Sequence, residues 1–368
     1  MLDYSEVIKL RMERQYLSQP VDNSGYDALF RDMSPVPTIY WCEPGSPPTL
    51  PLHTELEDYD YNSFRRSHRE ILKGRFAGGT IGYVTVEDLE LFACLYRKEI
   101  TRFTTVQQEL LELFREEGPM NIGSLKELTG YLVKEISPAL HRLQEAFLVY
   151  EDQVDKEWDR GWFLFEGEFP EVDLNRYTKL EALKLLIPRV ARLLVFFDEA
   201  LLKSYYRLPG KLIKEALTEL QAEGLIIAAT LSGKQGYLLK ADEALCLQEE
   251  YKSSQEQDNL TDEYPTQLTP SVLMLQRNDF LVRAYGEELK KKFPSEWDAL
   301  YYLLIDGEFH GAVMGKFMFG PHVIEDIVLD LPEEDRNARK EEILEAVYTV
   351  FDSVASSPIR YNGIPMNT

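Results

Sequence analysis

The chain has 368 residues, 44% of them apolar and 12% aromatic, with 63 Asp and Glu against 40 Lys and Arg for a formal net charge of −23. That length suits about two to four domains, the apolar content excludes global disorder, and the charge repels nucleic acid and anionic membranes unless a local basic patch intervenes. No run approaches the about 18 apolar residues of a membrane span, and the mixed-charge start lacks an apolar signal-peptide segment. Cys42, Cys94 and Cys246 are scattered and form neither a CxxC nor a metal-ligand spacing, so the expectation is a cytoplasmic protein with no metal and no cofactor.

Two helices are expected first, over about residues 4–16 and 25–33, ended by Ser34-Pro35. "PTIYWCEPGSPPTLPLH", residues 37–53, then places five prolines, Tyr40, Trp41, Cys42 and His53 in one span. Each proline removes a backbone donor, so neither helix nor central strand can run through it. Such a loop either lines a site or is a packed connection. Tyr40 and Trp41 either stack on an everted base or pack against a neighbouring domain.

"FRRSHREILKGRF", residues 64–76, is the one candidate basic patch. Read as a helix, it puts Arg65, Arg69 and Lys73 on one face at i, i+4, i+8, joined by Arg66 and Arg75. The alternative is a solvated face paired with nearby acids. His53 and His68 flank this run as phosphate contacts or as ordinary surface histidines. A glycine turn at Gly78-Gly79 and a strand over about 81–84 follow, with Thr85 as N-cap and Asp88 at N3 of an apolar helix.

From residue 104 the order is helix, short helix, helix and β-hairpin, the winged-helix arrangement. Leu110, Leu111 and Phe114 line the first helix, and Ile136, Leu140, Leu143 and Phe147 the third. The same order recurs from residue 176, where Pro188 predicts a kink in the long helix and Leu212, Ile213, Ala216, Leu217 and Leu220 keep helical register. Lys211 and Lys214, with Lys234 at the second hairpin's tip, form a phosphate-contacting set. Residues 249–267 read as an acidic linker. The remainder alternates strands around the Asp306-Gly307 turn and ends in an acidic amphipathic helix over 333–353. His310 and His322, 12 apart, make no metal site. The fold class is mainly α with small β-hairpins, α+β overall: an N-terminal helical part over 1–103, winged-helix domains over 104–175 and 176–248, a linker over 249–268, and a C-terminal α+β domain over 269–368.

Together these pieces resemble the tandem winged-helix DNA glycosylases that act on alkylated bases and interstrand crosslinks. "ILKGRFAGGTIGYVTVEDLELF" resembles that family's arginine, Gly-Thr, strand and acidic helix start. "MLQRNDFLVR", with Asp279 at the acidic position, resembles the opening of its C-terminal domain, and "LLIDGEFHGAVMGKF" its glycine-ended hairpin, with Gly307 and Gly311 matching. The resemblance implies DNA as partner and puts the proline loop at the active site. There the family carries two glutamines, or a glutamine and an aspartate, flanking one residue. In this chain Tyr40 and Cys42 occupy those positions, and the only Gln-x-Gln, Gln255 to Gln257, falls in the acidic linker. Cleaving an N-glycosidic bond requires a positioned water and stabilisation of an oxocarbenium-like sugar. Glu43 is the loop's one carboxylate, and the Tyr40 hydroxyl, neutral at pH 7, can orient water but is a poor base. Three readings stand: binding of damaged or structured DNA without standard glycosylase catalysis, a diverged glycosylase using Glu43 or Tyr40, and a scaffold for a protein partner.

Overall fold

A computed structural model describes residues 2–39, 42–246, 271–316, 323–351 and 358–366. The linker with its Gln-x-Gln, His322, Tyr40 and Trp41 lie outside the described residues. Among those described, no helix is long and apolar enough to cross a membrane.

Helices α1 (Tyr4–Arg14) and α2 (Tyr26–Met33) open the chain. Asp3 caps α1 by accepting the amide hydrogens of Ser5 and Glu6. The basic run is not one helix. Helix α3 (Asp58–Ser67) stops at His68, Arg69 takes φ 58°, and residues 71–75 form strand β1 (Ile71–Arg75), antiparallel to β2 (Ile81–Thr85). Lys73 and Arg75 therefore sit on a strand, and the expected shared helix face does not exist. Gly74 lies opposite Gly82 in this hairpin, and a Cβ on Gly74 would meet the Phe76 ring at 2.5 Å.

The expected cap before α4 (Leu89–Tyr96) is also corrected. The buried Thr85 hydroxyl has no hydrogen-bond partner, and Asp88 reaches Arg31 on α2 at 2.7 Å and also takes Arg189. Two guanidinium groups bind a buried carboxylate more strongly than one amide does. Burial alone would raise the Asp88 carboxyl pKa, but the two arginines hold it below the usual range. Asp88→Asn is expected to cost about 2 kcal/mol, because half-exposed Arg31 recovers water while Arg189 does not. Urea denaturation with an unchanged m-value checks this.

Next come α5 (Thr105–Glu117), α6 (Ile122–Thr129) and α7 (Val133–Glu145), then the hairpin β3 (Val149–Asp152) and β4 (Gly161–Leu164). Thr104 and Gln107 form a reciprocal cap on α5, and Gly130 ends α6 at φ 72°. Leu110, Phe114, Leu125, Ile136, Leu140, Leu143 and Trp162 fill this unit's core. A four-residue turn, α8 (Phe165–Glu168), leads to α9 (Lys179–Leu194), α10 (Glu199–Tyr206), α11 (Gly210–Ala222) and the hairpin β5 (Ile226–Leu231) and β6 (Lys234–Leu239). Pro188 lies inside α9, which continues to Leu194. The buried stripe of α9, Leu183, Leu186, Ile187, Val190 and Leu194, belongs to a core that also contains Phe30, Phe92 and Phe280.

The C-terminal part adds β7 (Val272–Gln276), α12 (Phe280–Ala284), α13 (Gly286–Lys292), β8 (Asp298–Ile305), β9 (Glu308–Lys316) and β10 (Val323–Leu329). Then follow α14 (Glu333–Ala338), α15 (Lys340–Tyr348), β11 (Arg360–Tyr361) and β12 (Ile364–Pro365). Six strands form one sheet in the order β12-β11-β10-β9-β8-β7, antiparallel except for β10 with β11. Asp306 and Gly307 turn β8 into β9 with positive φ at both, as expected for this dipeptide. The single C-terminal helix is corrected to two. They break at Arg339, whose guanidinium reaches Asp306 and Glu342, and the expected end at 353 lies outside the described residues.

Candidate functional site

Five of the loop's 17 residues are prolines without an amide hydrogen, and side-chain donors from other segments hold its carbonyls. Arg283 donates to the Pro35 carbonyl at 2.7 Å, Asn278 to that of Thr38 at 2.9 Å and Asn62 to that of Pro48 at 2.9 Å. Arg66 donates to the Gly45 carbonyl. Val36 exchanges backbone hydrogen bonds with Tyr83 of β2. The Leu50 amide donates to Asp58, which also accepts from the Tyr26 hydroxyl, and burial raises the Asp58 carboxyl pKa.

At the loop's end His53 is 1% exposed. Its Nδ1 lies 2.6 Å from the Gln15 carbonyl and its Nε2 lies 2.7 Å from Asp279. The Gln15 carbonyl can only accept, so Nδ1 carries a hydrogen. The Nε2–Oδ2 line then holds a second proton, giving an imidazolium and a carboxylate. Burial alone would lower the His53 pKa; Asp279 outweighs it and the net direction is upward. Asp279 also caps α12 through the Leu281 amide at 2.8 Å. This burial excludes both readings of His53, as a phosphate contact and as an ordinary surface histidine. No sequence signal couples residues 226 positions apart, so this pair went unread.

Beside it, Val36, Thr49, Leu50, Gln276, Asp279 and Arg283 line a crevice of about 280 Å³, open solvent included. The Thr49 hydroxyl and the Gln276 side-chain oxygen are buried there without a hydrogen-bond partner. Glu43 is not among the lining residues. Its side chain is 61% exposed and faces Lys156 of the β3–β4 hairpin at 3.7 Å. Cys42 is half-buried, its amide donating to the Ile39 carbonyl.

The cations of residues 64–76 are turned inward. Arg65 packs over Phe30 and Tyr61 and pairs with Asp27 at 3.2 Å. Arg69 lies over Tyr150 and Phe163 and pairs with Glu168 at 2.7 Å. Lys73 meets buried Glu151 at 2.5 Å, and Arg75 donates to Gln144 at 2.8 Å. The structure commits Arg69 and Lys73 to acids following the first helix–hairpin unit's third helix, Arg75 to Gln144 of that helix, Arg65 to Asp27 of α2 and Arg66 to the Gly45 carbonyl, not to an open groove. Lys234 pairs with Asp198 at 3.0 Å and Glu288 at 2.7 Å. Lys211 and Lys214, near the start of α11, are exposed and take no ion-pair partner among the described residues.

No family model matches the sequence, and no curated protein matches it. Among solved structures the chain is similar to the Streptomyces sahachiroi DNA glycosylase AlkZ, with a TM-score of 0.60 at 12% identity. The match covers 98% of this chain and 100% of that one, so the two share their fold from end to end.

Proposed function

We propose that the chain is a cytoplasmic tandem winged-helix protein that binds damaged or structured DNA and does not use standard glycosylase chemistry. The observation that carries this is the end-to-end fold similarity to a DNA glycosylase. Residues 104–175 and 176–248 are the two winged-helix domains, and α11 is the recognition helix of the second. Its exposed Lys211 and Lys214 stand near the helix start, where helix-turn-helix proteins meet the duplex. Exposed, lysine-paired Glu43 supports the non-catalytic reading, since a general base for water needs a held water and a shielded carboxylate. No cofactor is required.

Binding to intact duplex, abasic-site duplex and single strand, measured across ionic strength, tests the proposal. Affinity should fall steeply with salt, and Lys211→Glu with Lys214→Glu should weaken it by about tenfold or more at low salt. No binding at the lowest salt overturns the proposal and leaves a scaffold for a protein partner, a reading the −23 charge allows. Base release that Glu43→Gln abolishes would overturn the non-catalytic part alone.

A further inference from the structure

The tip of the β3–β4 hairpin, residues 153–160, is built and held in a way that DNA binding does not explain. Among the described residues Trp158, at 74%, is the most exposed large apolar side chain, and Val154, at 62%, is third after Ile364 at 68%. They stand at one turn, closed by the Glu157 amide to the Val154 carbonyl at 3.2 Å and by the Gln153 side chain to the Glu157 carbonyl at 2.7 Å.

The tip is also clamped from three sides. The Lys156 amide donates to the Pro44 carbonyl at 2.8 Å, the Tyr59 hydroxyl to Asp155 at 2.6 Å, and the Asn121 side chain to Asp159 at 2.7 Å. An exposed tryptophan on a rigid turn loses little conformational freedom when covered, which is what an anchoring contact needs. Its surroundings set the sign of the partner. Asp155, Glu157, Asp159 and Glu43 ring the tip against Lys156 and Arg160, and residues 104–164 carry 12 carboxylates against 6 Lys and Arg. A polyanion is repelled from such a surface.

We propose that this hairpin tip is a docking site for a protein segment that presents an apolar side chain flanked by lysines or arginines. Trp158 and Val154 take the apolar side chain, and the surrounding carboxylates take the cations. The tip and α11 are different elements, so its test uses neither Lys211 nor Lys214.

The probe is a short peptide of leucines, lysines and arginines, titrated into the full chain while the indole N–H resonance of Trp158 is followed. The resonance is assigned with Trp158→Phe, a substitution at an exposed position that leaves the fold intact. A saturable shift is expected that weakens as salt rises. Trp158→Ser and, separately, Glu157→Lys should each lower the affinity by about tenfold, read by calorimetry where the indole is absent. An equal response to the charge-inverted leucine–glutamate peptide overturns the proposal, as does unchanged affinity in Trp158→Ser. A Trp158 shift with a single-stranded oligonucleotide but not with the cationic peptide overturns it in favour of nucleic acid.

Discussion

Lys73→Glu is expected to cost about 5 kcal/mol, enough to leave much of the protein unfolded at room temperature. The ammonium lies 2.5 Å from a Glu151 carboxylate with 0% side-chain exposure and 3.1 Å from the Gln153 side-chain oxygen. Arg160 approaches the second oxygen of Glu151 at 3.5 Å. Burial would raise the Glu151 pKa, but Lys73, Arg160 and Arg75 outweigh it and keep the group ionised. A glutamate at 73 would face the buried Glu151 across a direct contact, with Arg160 at 3.5 Å left to offset both charges. Lys73→Met should cost less, about 2 kcal/mol, because it keeps the stem's packing and leaves Arg160 to compensate Glu151. Urea midpoints for the two variants separate charge from shape, and a Lys73→Glu protein with the parent's midpoint would show that the pair does not hold the fold. The same burial makes reversal of this lysine unsuitable as a probe of DNA contact.

The second large effect belongs to His53 and Asp279. Removing either partner leaves the other buried and uncompensated, and His53→Gln or Asp279→Asn is expected to cost about 3 kcal/mol at neutral pH. The His53 pKa is raised in the folded chain, so the folded state binds this proton more tightly than the unfolded state. Its stabilising contribution is therefore complete below the unfolded histidine value of about 6.5 and is lost as pH rises through the folded value. Asp58 also faces the imidazolium and adds to the upward shift. Urea midpoints taken from about pH 6 to about pH 9 should fall more for the parent than for His53→Gln. Parallel curves for the two proteins would remove the linked proton from this site.

The helices that proved readable are those whose apolar residues repeat at helical spacing over more than one turn. Leu110, Leu111 and Phe114 line the first unit and Ile213, Ala216, Leu217 and Leu220 the second, all buried as expected. The Asp306-Gly307 turn was equally legible, because only such dipeptides adopt positive φ twice without strain. Strand β1 was misread because Arg65, Arg69 and Lys73 fit a helical period, while the reversal at Arg69 leaves no mark in residue type. Strand β7 went unread because a strand buried on both faces loses its alternation. At the candidate site the prolines excluded helix and central strand but left open whether the loop packs or lines a site. What holds it, Asp279 and Arg283, and what consumes the nearby cations, Asp152 and Glu151, are contributed from far along the chain, and local pattern carries no information about them.

Helix α1 precedes every other described element and is among the last that can be seated. Arg14 pairs with Asp242 at 2.6 Å, Gln15 donates to the Leu193 carbonyl at 2.9 Å, and Arg11 donates to the Tyr285 hydroxyl at 3.0 Å and to the Gly307 carbonyl. A Cβ on Gly307 would strike Ile8. A chain emerging from the ribosome therefore carries α1 unplaced until some three hundred residues have followed it. At synthesis rates of about 5–20 residues per second that is an exposure of tens of seconds. The helix–hairpin units, whose contacts are local, can close during that interval, and the seating of α1 waits for Tyr285 and Gly307.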